Sequence, residues 1–177
     1  TSAVTGCSNV AVQSMSVNIL PPVAINISSP VICSGNASTL VASGAASYVW
    51  SNGPTTAIVT VTPGSSVVYS VTGTSAVTGC SNTAIQTVFV NPSPTVTCIG
   101  TNTTICSGYS TTITASGANI YTWSNGNNTA TMVVNPSANI NYTVVGIDTN
   151  NGCTGMAVQS ISVNPSPTIA LSASASS

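Results

Sequence analysis

The sequence predicts an all-β chain of tandem β-sandwich repeats, and three observations carry that prediction. The letters recur at one fixed spacing, so that "TSAVTGCSN" at Thr1–Asn9 returns at Thr74–Asn82. The apolar residues are mostly β-branched or aromatic and alternate with Ser, Thr and Asn. The breaks between these runs are filled by Gly, Pro, Asn and Ser, the residues of turns. Cys7, Cys80 and Cys153 are 73 residues apart, as are Pro21, Pro94 and Pro167, and no insertion or deletion interrupts the register. Self-similarity at a constant period is the signature of a repeat architecture. In that register, residues 1–18 are the C-terminal strand of a preceding repeat, 19–91 and 92–164 are two whole repeats, and 165–177 are a linker and the first strand of a following one. The chain therefore reads as a window of a longer array.

Superposing the two whole repeats shows which residues face inward. The first strand carries Val23, Ile25 and Ile27 against Val96, Cys98 and Gly100; the second carries Leu40 and Ala42 against Ile113 and Ala115. The third carries Tyr48 and Trp50 against Tyr121 and Trp123, and the fourth Ala57, Val59 and Val61 against Ala130, Met132 and Val134. Val67, Tyr69 and Val71 match Ile140, Tyr142 and Val144 in the fifth, and Val88 and Val90 match Ile161 and Val163 in the last. Period-two alternation of this kind buries one face of each strand. Asn52-Gly53 and Asn125-Gly126, after each Trp, read as tight hairpin turns. "TPGSS" and "NPSAN" separate the fourth and fifth strands, because Pro cannot donate into a ladder. "NPSP" at Asn91–Pro94 and Asn164–Pro167 gives short, stiff connectors between repeats. Six or seven strands in each 73-residue repeat predict a small immunoglobulin-like sandwich.

Composition removes most chemistry. The chain has no Lys, Arg or His, and its one acid is Asp148. General acid–base catalysis needs a group titrating near the working pH. The many hydroxyls have no His or Lys to activate them, so no enzyme is expected. Nucleic-acid binding draws on Lys and Arg against phosphate, and neither is present. No metal or cofactor is expected either; Asp148 in "DTNNGC" reads as a turn residue, since one carboxylate among amides falls short of a calcium site. No apolar run reaches the roughly 18 residues of a membrane-spanning helix. The Val- and Ile-rich composition, 42% hydrophobic, is not that of a disordered chain.

Six cysteines in such a chain favour an oxidising, extracellular setting. Four strands, an even number, are expected between Cys33 and Cys80, which returns the chain to one end of the sandwich. Cys33–Cys80 and Cys106–Cys153 are the expected bridges. Each closes a loop of about 48 residues, worth on the order of 3–4 kcal/mol. An extra strand after Trp50 would reverse that parity, place the two cysteines at opposite ends and make Cys33–Cys153 between repeats the alternative. Cys7 lacks the rest of its repeat, and Cys98, in place of Ile25, reads as a buried free thiol.

Trp50, Trp123, Tyr48 and Tyr121 have inward parity and read as core rather than a sugar-stacking platform. Tyr109 stands outside that pattern and is expected at the surface. Gln13, Gln86 and Gln159 share one register as partners for backbone groups. Asn26, Asn36, Asn102, Asn127 and Asn141 match N-x-S/T, as a chain of this composition does by chance.

The unit "ICSG…YxWSNG…YxVxG…GC…VNPSP" resembles the immunoglobulin-like repeats of very long cell-surface proteins of Bacteroidetes, including the mobile adhesins of gliding bacteria. The resemblance covers the whole chain. It implies type IX secretion, a place at the cell surface and a role in adhesion or surface structure, and it carries over no catalytic residue. The expected function is a non-catalytic stalk or filament segment of such an adhesin, with neighbouring repeats or other copies as partners. No Lys is present to discourage edge-to-edge strand pairing, so self-association is expected. The alternative is an extracellular module that binds polysaccharide through exposed loops.

Overall fold

Alternation of apolar and hydroxyl residues produces strands wherever the repeats superpose. The computed structural model describes residues 9–167 of the 177-residue chain. The first repeat contains β1 (Ala24–Ile27), β2 (Val31–Cys33), β3 (Ser38–Ser43), β4 (Ser47–Trp50), β5 (Ile58–Val61), β6 (Val67–Thr74) and β7 (Ser81–Asn91). The second contains β8 (Thr97–Gly100), β9 (Thr104–Cys106), β10 (Thr111–Ser116), β11 (Ile120–Trp123), β12 (Thr131–Val134), β13 (Ile140–Ile147) and β14 (Thr154–Asn164), every boundary 73 residues after its counterpart. The period seen in the letters is therefore the period of the structure.

Each repeat forms a three-stranded and a four-stranded sheet: β1-β3-β5 with β2-β7-β6-β4, and β8-β10-β12 with β9-β14-β13-β11. Pairing is antiparallel except where β2 lies parallel to the end of β7, and β9 to the end of β14. The chain thus changes sheets between its first two strands, giving an immunoglobulin-like sandwich of seven strands per repeat. A buried hydroxyl holds each crossover. Ser38 Oγ donates to Ser29 O at 2.8 Å, and Thr111 Oγ1 donates to Asn102 O at 2.8 Å.

The inward residues read from the sequence form the cores. Leu40, Trp50, Tyr69, Val71 and Val88 are buried in the first repeat, and Ile113, Trp123, Tyr142, Val144 and Ile161 in the second. The hydroxyl of Tyr48 binds both the N–H and the C=O of Ala45, and Tyr121 does the same at Ala118. These contacts satisfy the one polar end of a buried ring. Ala57, Ala130 and Ile140 depart from expectation: all three are exposed, because β5 and β12 begin one residue later and Ile140 opens its strand.

The hairpin expected at Asn52-Gly53 is also corrected. Gly53 does take a positive φ of 106° and donates its N–H to Trp50 O at 3.0 Å. No strand follows directly, however. Pro54 O accepts the Trp50 N–H at 2.9 Å, and Ala57 O accepts the Ala42 N–H at 2.8 Å, so residues 54–57 run back without entering a ladder. Asn127 and Ala130 repeat both bonds with Trp123 and Ala115. The chain consequently makes an irregular extra crossing between β4 and β5, and between β11 and β12.

The C-terminal strand expected within residues 1–18 does not form among the described residues, where 9–23 carry no strand. Its counterpart β7 is held by β6 over Ser81–Val88 and by β2 over Phe89–Asn91, and among the described residues no strand plays that part for residues 9–18. The strand expected in 165–177 falls mostly outside the described residues; 165–167 carry none.

Close backbone approach fixes Gly44 in the first repeat and Gly117 and Gly155 in the second. A Cβ on Gly117 would lie 2.0 Å from Thr95 O, and φ is +94°. A Cβ on Gly126, φ +84°, would meet nothing within 4 Å. Gly126→Ala is therefore expected to cost only the left-handed penalty of about 1–2 kcal/mol. Gly117→Ala must in addition displace the strand entry at Thr95–Val96, and urea titration should show it clearly the less stable of the two.

Candidate functional site at the repeat cysteines

By internal contacts the chain forms two compact units. Among the described residues, one contains Ser38–Val61 and Val67–Val88; the other contains Val31–Ala37, Thr62–Ser66 and residues 89–167. Unit and repeat boundaries differ, since the segment bearing Cys33 clusters with the second repeat.

Cys33 closes β2 level with Asn91, the last residue of β7. Ser34 N–H donates to Asn91 O at 2.9 Å, and Asn36 N–H returns to Cys33 O at 2.9 Å. Cys80 immediately precedes Ser81, the first residue of β7. A strand of that length separates its ends by about 33 Å, so Cys33 and Cys80 lie at opposite ends of one repeat and cannot bridge. The same holds for Cys106, level with Asn164, and Cys153, which precedes Thr154. Both expected bridges, Cys33–Cys80 and Cys106–Cys153, are thereby replaced.

The bond that forms is Cys33–Cys153, with S–S 2.05 Å, Cα–Cα 5.6 Å and a sequence separation of 120. It joins consecutive sequence repeats inside the second compact unit. The pairing left as the alternative is the one realised, but no extra strand produces it: the expected four strands, β3 to β6, separate Cys33 from Cys80, and the strandless crossing of residues 51–57 reverses the parity.

A tight loop presents Cys153. Asp148 N–H donates to Cys153 O at 2.9 Å, Gly152 N–H to Asp148 O at 2.7 Å, and Cys153 N–H to Asn151 Oδ1 at 2.8 Å. Asp148 Oδ1 accepts the backbone and side-chain N–H groups of Asn150, both at 2.9 Å, so this carboxylate shapes the turn. Asn151 Nδ2 reaches Pro92 O in the connector at 3.4 Å. Cys153 is fully buried, and Cys33 is half-buried. Nothing in the letters marked Asn151 or Pro92 as part of this node; their role follows from the fold around the bridge.

Cys80 and Cys106 are not brought together with the partners expected for them; both are free thiols, Cys80 half-buried and Cys106 exposed. Cys98 is also free and packs against the core of the second repeat, where burial pushes its thiol pKa up. The tryptophans are 2% exposed, whereas Tyr109 and Phe89 are at the surface. Gln86 and Gln159 donate to backbone carbonyls of Thr87 and Ser160, and Gln159 Oε1 accepts the Gly100 N–H. Among the described residues no three His, Cys, Asp or Glu cluster as metal ligands, and no helix is long and apolar enough to cross a membrane.

Three solved structures are similar to this chain at low identity. Three N-terminal domains of the bacteriophage RB49 highly immunogenic outer capsid protein (Hoc) match at 20% identity and TM-score 0.37, over 80% of this chain and 58% of that one. Murine CEACAM1b matches at 13% and 0.37, over 80% and 100%. Clostridium thermocellum CbhA fibronectin(III)-like modules match at 12% and 0.35, over 81% and 94%. No family model and no curated protein sequence matches the chain.

Proposed function

We propose that the chain is a non-catalytic structural segment of a long extracellular repeat protein, acting as a stalk or filament piece of a bacterial surface adhesin. The observation that carries this reading is the Cys33–Cys153 bridge, which ties one repeat to the next. A bond between repeats does little for the chemistry of a single domain. It limits how far the array extends when its ends are pulled. The one side-chain carboxylate, Asp148, shapes a turn, and the absence of Lys, Arg and His leaves no base to activate a hydroxyl or thiol, while extracellular oxidising conditions keep such a bridge closed. The short edge strands β2 and β9 and outward residues such as Val49 and Val68 offer surface to neighbouring copies.

Force spectroscopy on the chain held by its two ends tests the mechanical reading. With the bridge intact, the 120-residue span stays out of the stretched contour; reduction should add roughly 400 Å of extension. Identical extension curves with and without reductant would overturn the reading. Selective, tight binding on a glycan array would instead favour polysaccharide recognition.

A further inference from the structure

Asparagine followed by glycine occurs three times, at Asn52-Gly53, Asn125-Gly126 and Asn151-Gly152. In such a pair the Asn amide carbon lies within reach of the next backbone nitrogen, and Gly has no side chain to crowd the approach. The folded chain holds the three pairs differently. All three Gly N–H groups are engaged, Gly53 with Trp50 O at 3.0 Å, Gly126 with Trp123 O at 2.9 Å and Gly152 with Asp148 O at 2.7 Å. The difference lies in the Asn side chains. Asn125 Oδ1 accepts the Asn127 N–H at 3.2 Å, and its Nδ2 donates to Met132 Sδ at 3.5 Å. Asn151 Oδ1 accepts the Cys153 N–H at 2.8 Å, and its Nδ2 donates to Pro92 O at 3.4 Å. Asn52 is exposed, in the turn that corresponds to that of Asn125. Neither of the Asn125 bonds can form there. Pro54 stands at the position of Asn127 and has no N–H, and Val59 stands at that of Met132 and has no sulfur.

We infer that Asn52 is a site of spontaneous modification, at which the side-chain amide closes on the Gly53 nitrogen and water converts it to a carboxylate. The Gly53 nitrogen gives up its proton and bonds to Asn52 Cγ; the Cγ–Nδ2 bond breaks, and ammonia leaves with that proton. Water then opens the cyclic imide at either carbonyl. One opening leaves aspartate, and the other leaves an isoaspartyl link in which the backbone runs through the side chain. The sum is amide plus water to acid plus ammonia, with no change of oxidation state and no catalytic group required. At Asn125 and Asn151 the side-chain bonds hold the amide, which must first be freed. The chain has one side-chain carboxylate and no Lys, Arg or His, so one event doubles its side-chain charge with no cation to pair it. An isoaspartyl link also adds an atom to the backbone between Trp50 and Pro54, whose N–H and C=O are bonded at 2.9 Å. It therefore disturbs the entry to the irregular crossing of the first repeat. The Cys153 node is spared, because the contacts that present Cys153 are the ones that hold Asn151. The inference stands on the turns and does not depend on the mechanical reading.

The test is incubation of the whole oxidised chain in mildly alkaline, isotopically labelled water, with chymotryptic fragments sequenced by mass spectrometry. Label and isoaspartate should enter at Asn52 at least about ten-fold faster than at Asn125 or Asn151. That ratio corresponds to about 1.4 kcal/mol of added barrier, within the range of the hydrogen bonds to be released. In urea the three rates should converge. Asn52→Gln should suppress the acidic band that the parent develops on isoelectric focusing. Asn127→Pro with Met132→Val gives the second repeat the residues of the first, and should raise the Asn125 rate about ten-fold. The Asn151 rate should stay at the parent's value, which a merely unfolded variant would not show. Equal rates at the three sites in the folded chain, a preference for Asn52 that persists in urea, or an unchanged Asn125 rate in the double variant would overturn the inference.

Discussion

Cys33→Ser should lower the melting temperature of the oxidised chain by on the order of 10–20 °C. The bridge spans 120 residues, and constraining a loop of that length in the unfolded chain stabilises the folded one by about 5 kcal/mol. For a chain of this size each kcal/mol moves the midpoint by roughly 2–4 °C. Cys153→Ser should cost more than Cys33→Ser, because Cys153 has no exposed surface. A serine hydroxyl there loses its water without gaining a placed partner, adding roughly 1–3 kcal/mol. The complementary loss at Cys33 leaves a buried free thiol, which behaves as a small apolar group. Cys80→Ser and Cys106→Ser should leave the midpoint nearly unchanged. Calorimetry of the four variants separates the pairings: a large loss at Cys80 or Cys106 would restore the intra-repeat bridges and reject the bond between repeats.

That pairing marks the boundary of what the letters disclose. The strands were legible because burial of one face imposes a period of two, and two repeats at a spacing of 73 show which parity is kept. Leu40 with Ile113, and Trp50 with Trp123, fall in the core for that reason. The bridge depends instead on the direction in which each strand runs. Trp50-Ser51-Asn52-Gly53 has the composition of a hairpin turn, and counting regular strands then places Cys33 and Cys80 together. Residues 54–57 cross back with few ladder bonds and no alternating burial, so periodicity is blind to them. One signal was available. Pro54 has no N–H and cannot begin the ladder that a hairpin at Asn52-Gly53 requires. The parallel pairing of β2 with β7 was likewise hidden, because three residues are too few to display a period. Once Cys33 is set level with Asn91, the separation of Cys33 from Cys80 follows from strand length alone.

The irregular crossing needs a support that a ladder would otherwise provide, and in the second repeat Trp123 supplies it. Its backbone N–H donates to Asn127 O at 2.8 Å, its C=O accepts from Gly126 N–H at 2.9 Å, and its indole Nε1–H donates to Thr129 O at 2.9 Å. The ring is 2% exposed within the cluster formed by Ile113, Met132, Tyr142, Val144 and Ile161. Trp123→Ala should therefore cost about 3–5 kcal/mol, the range for emptying an aromatic site in a packed core. Trp123→Phe keeps much of the apolar volume but removes the indole donor, and the carbonyl of Thr129 then needs another partner. Its loss should be smaller, about 1–3 kcal/mol, and concentrated locally. Hydrogen exchange distinguishes the two effects. Trp123→Phe should speed exchange at the Ala115 amide, which donates to Ala130 O at the end of the crossing, while β13 and β14 amides stay protected. Trp123→Ala should loosen both regions together. Equal exchange at Ala115 in parent and Trp123→Phe would show that the crossing stands without the indole bond and that Trp123 acts only by filling space.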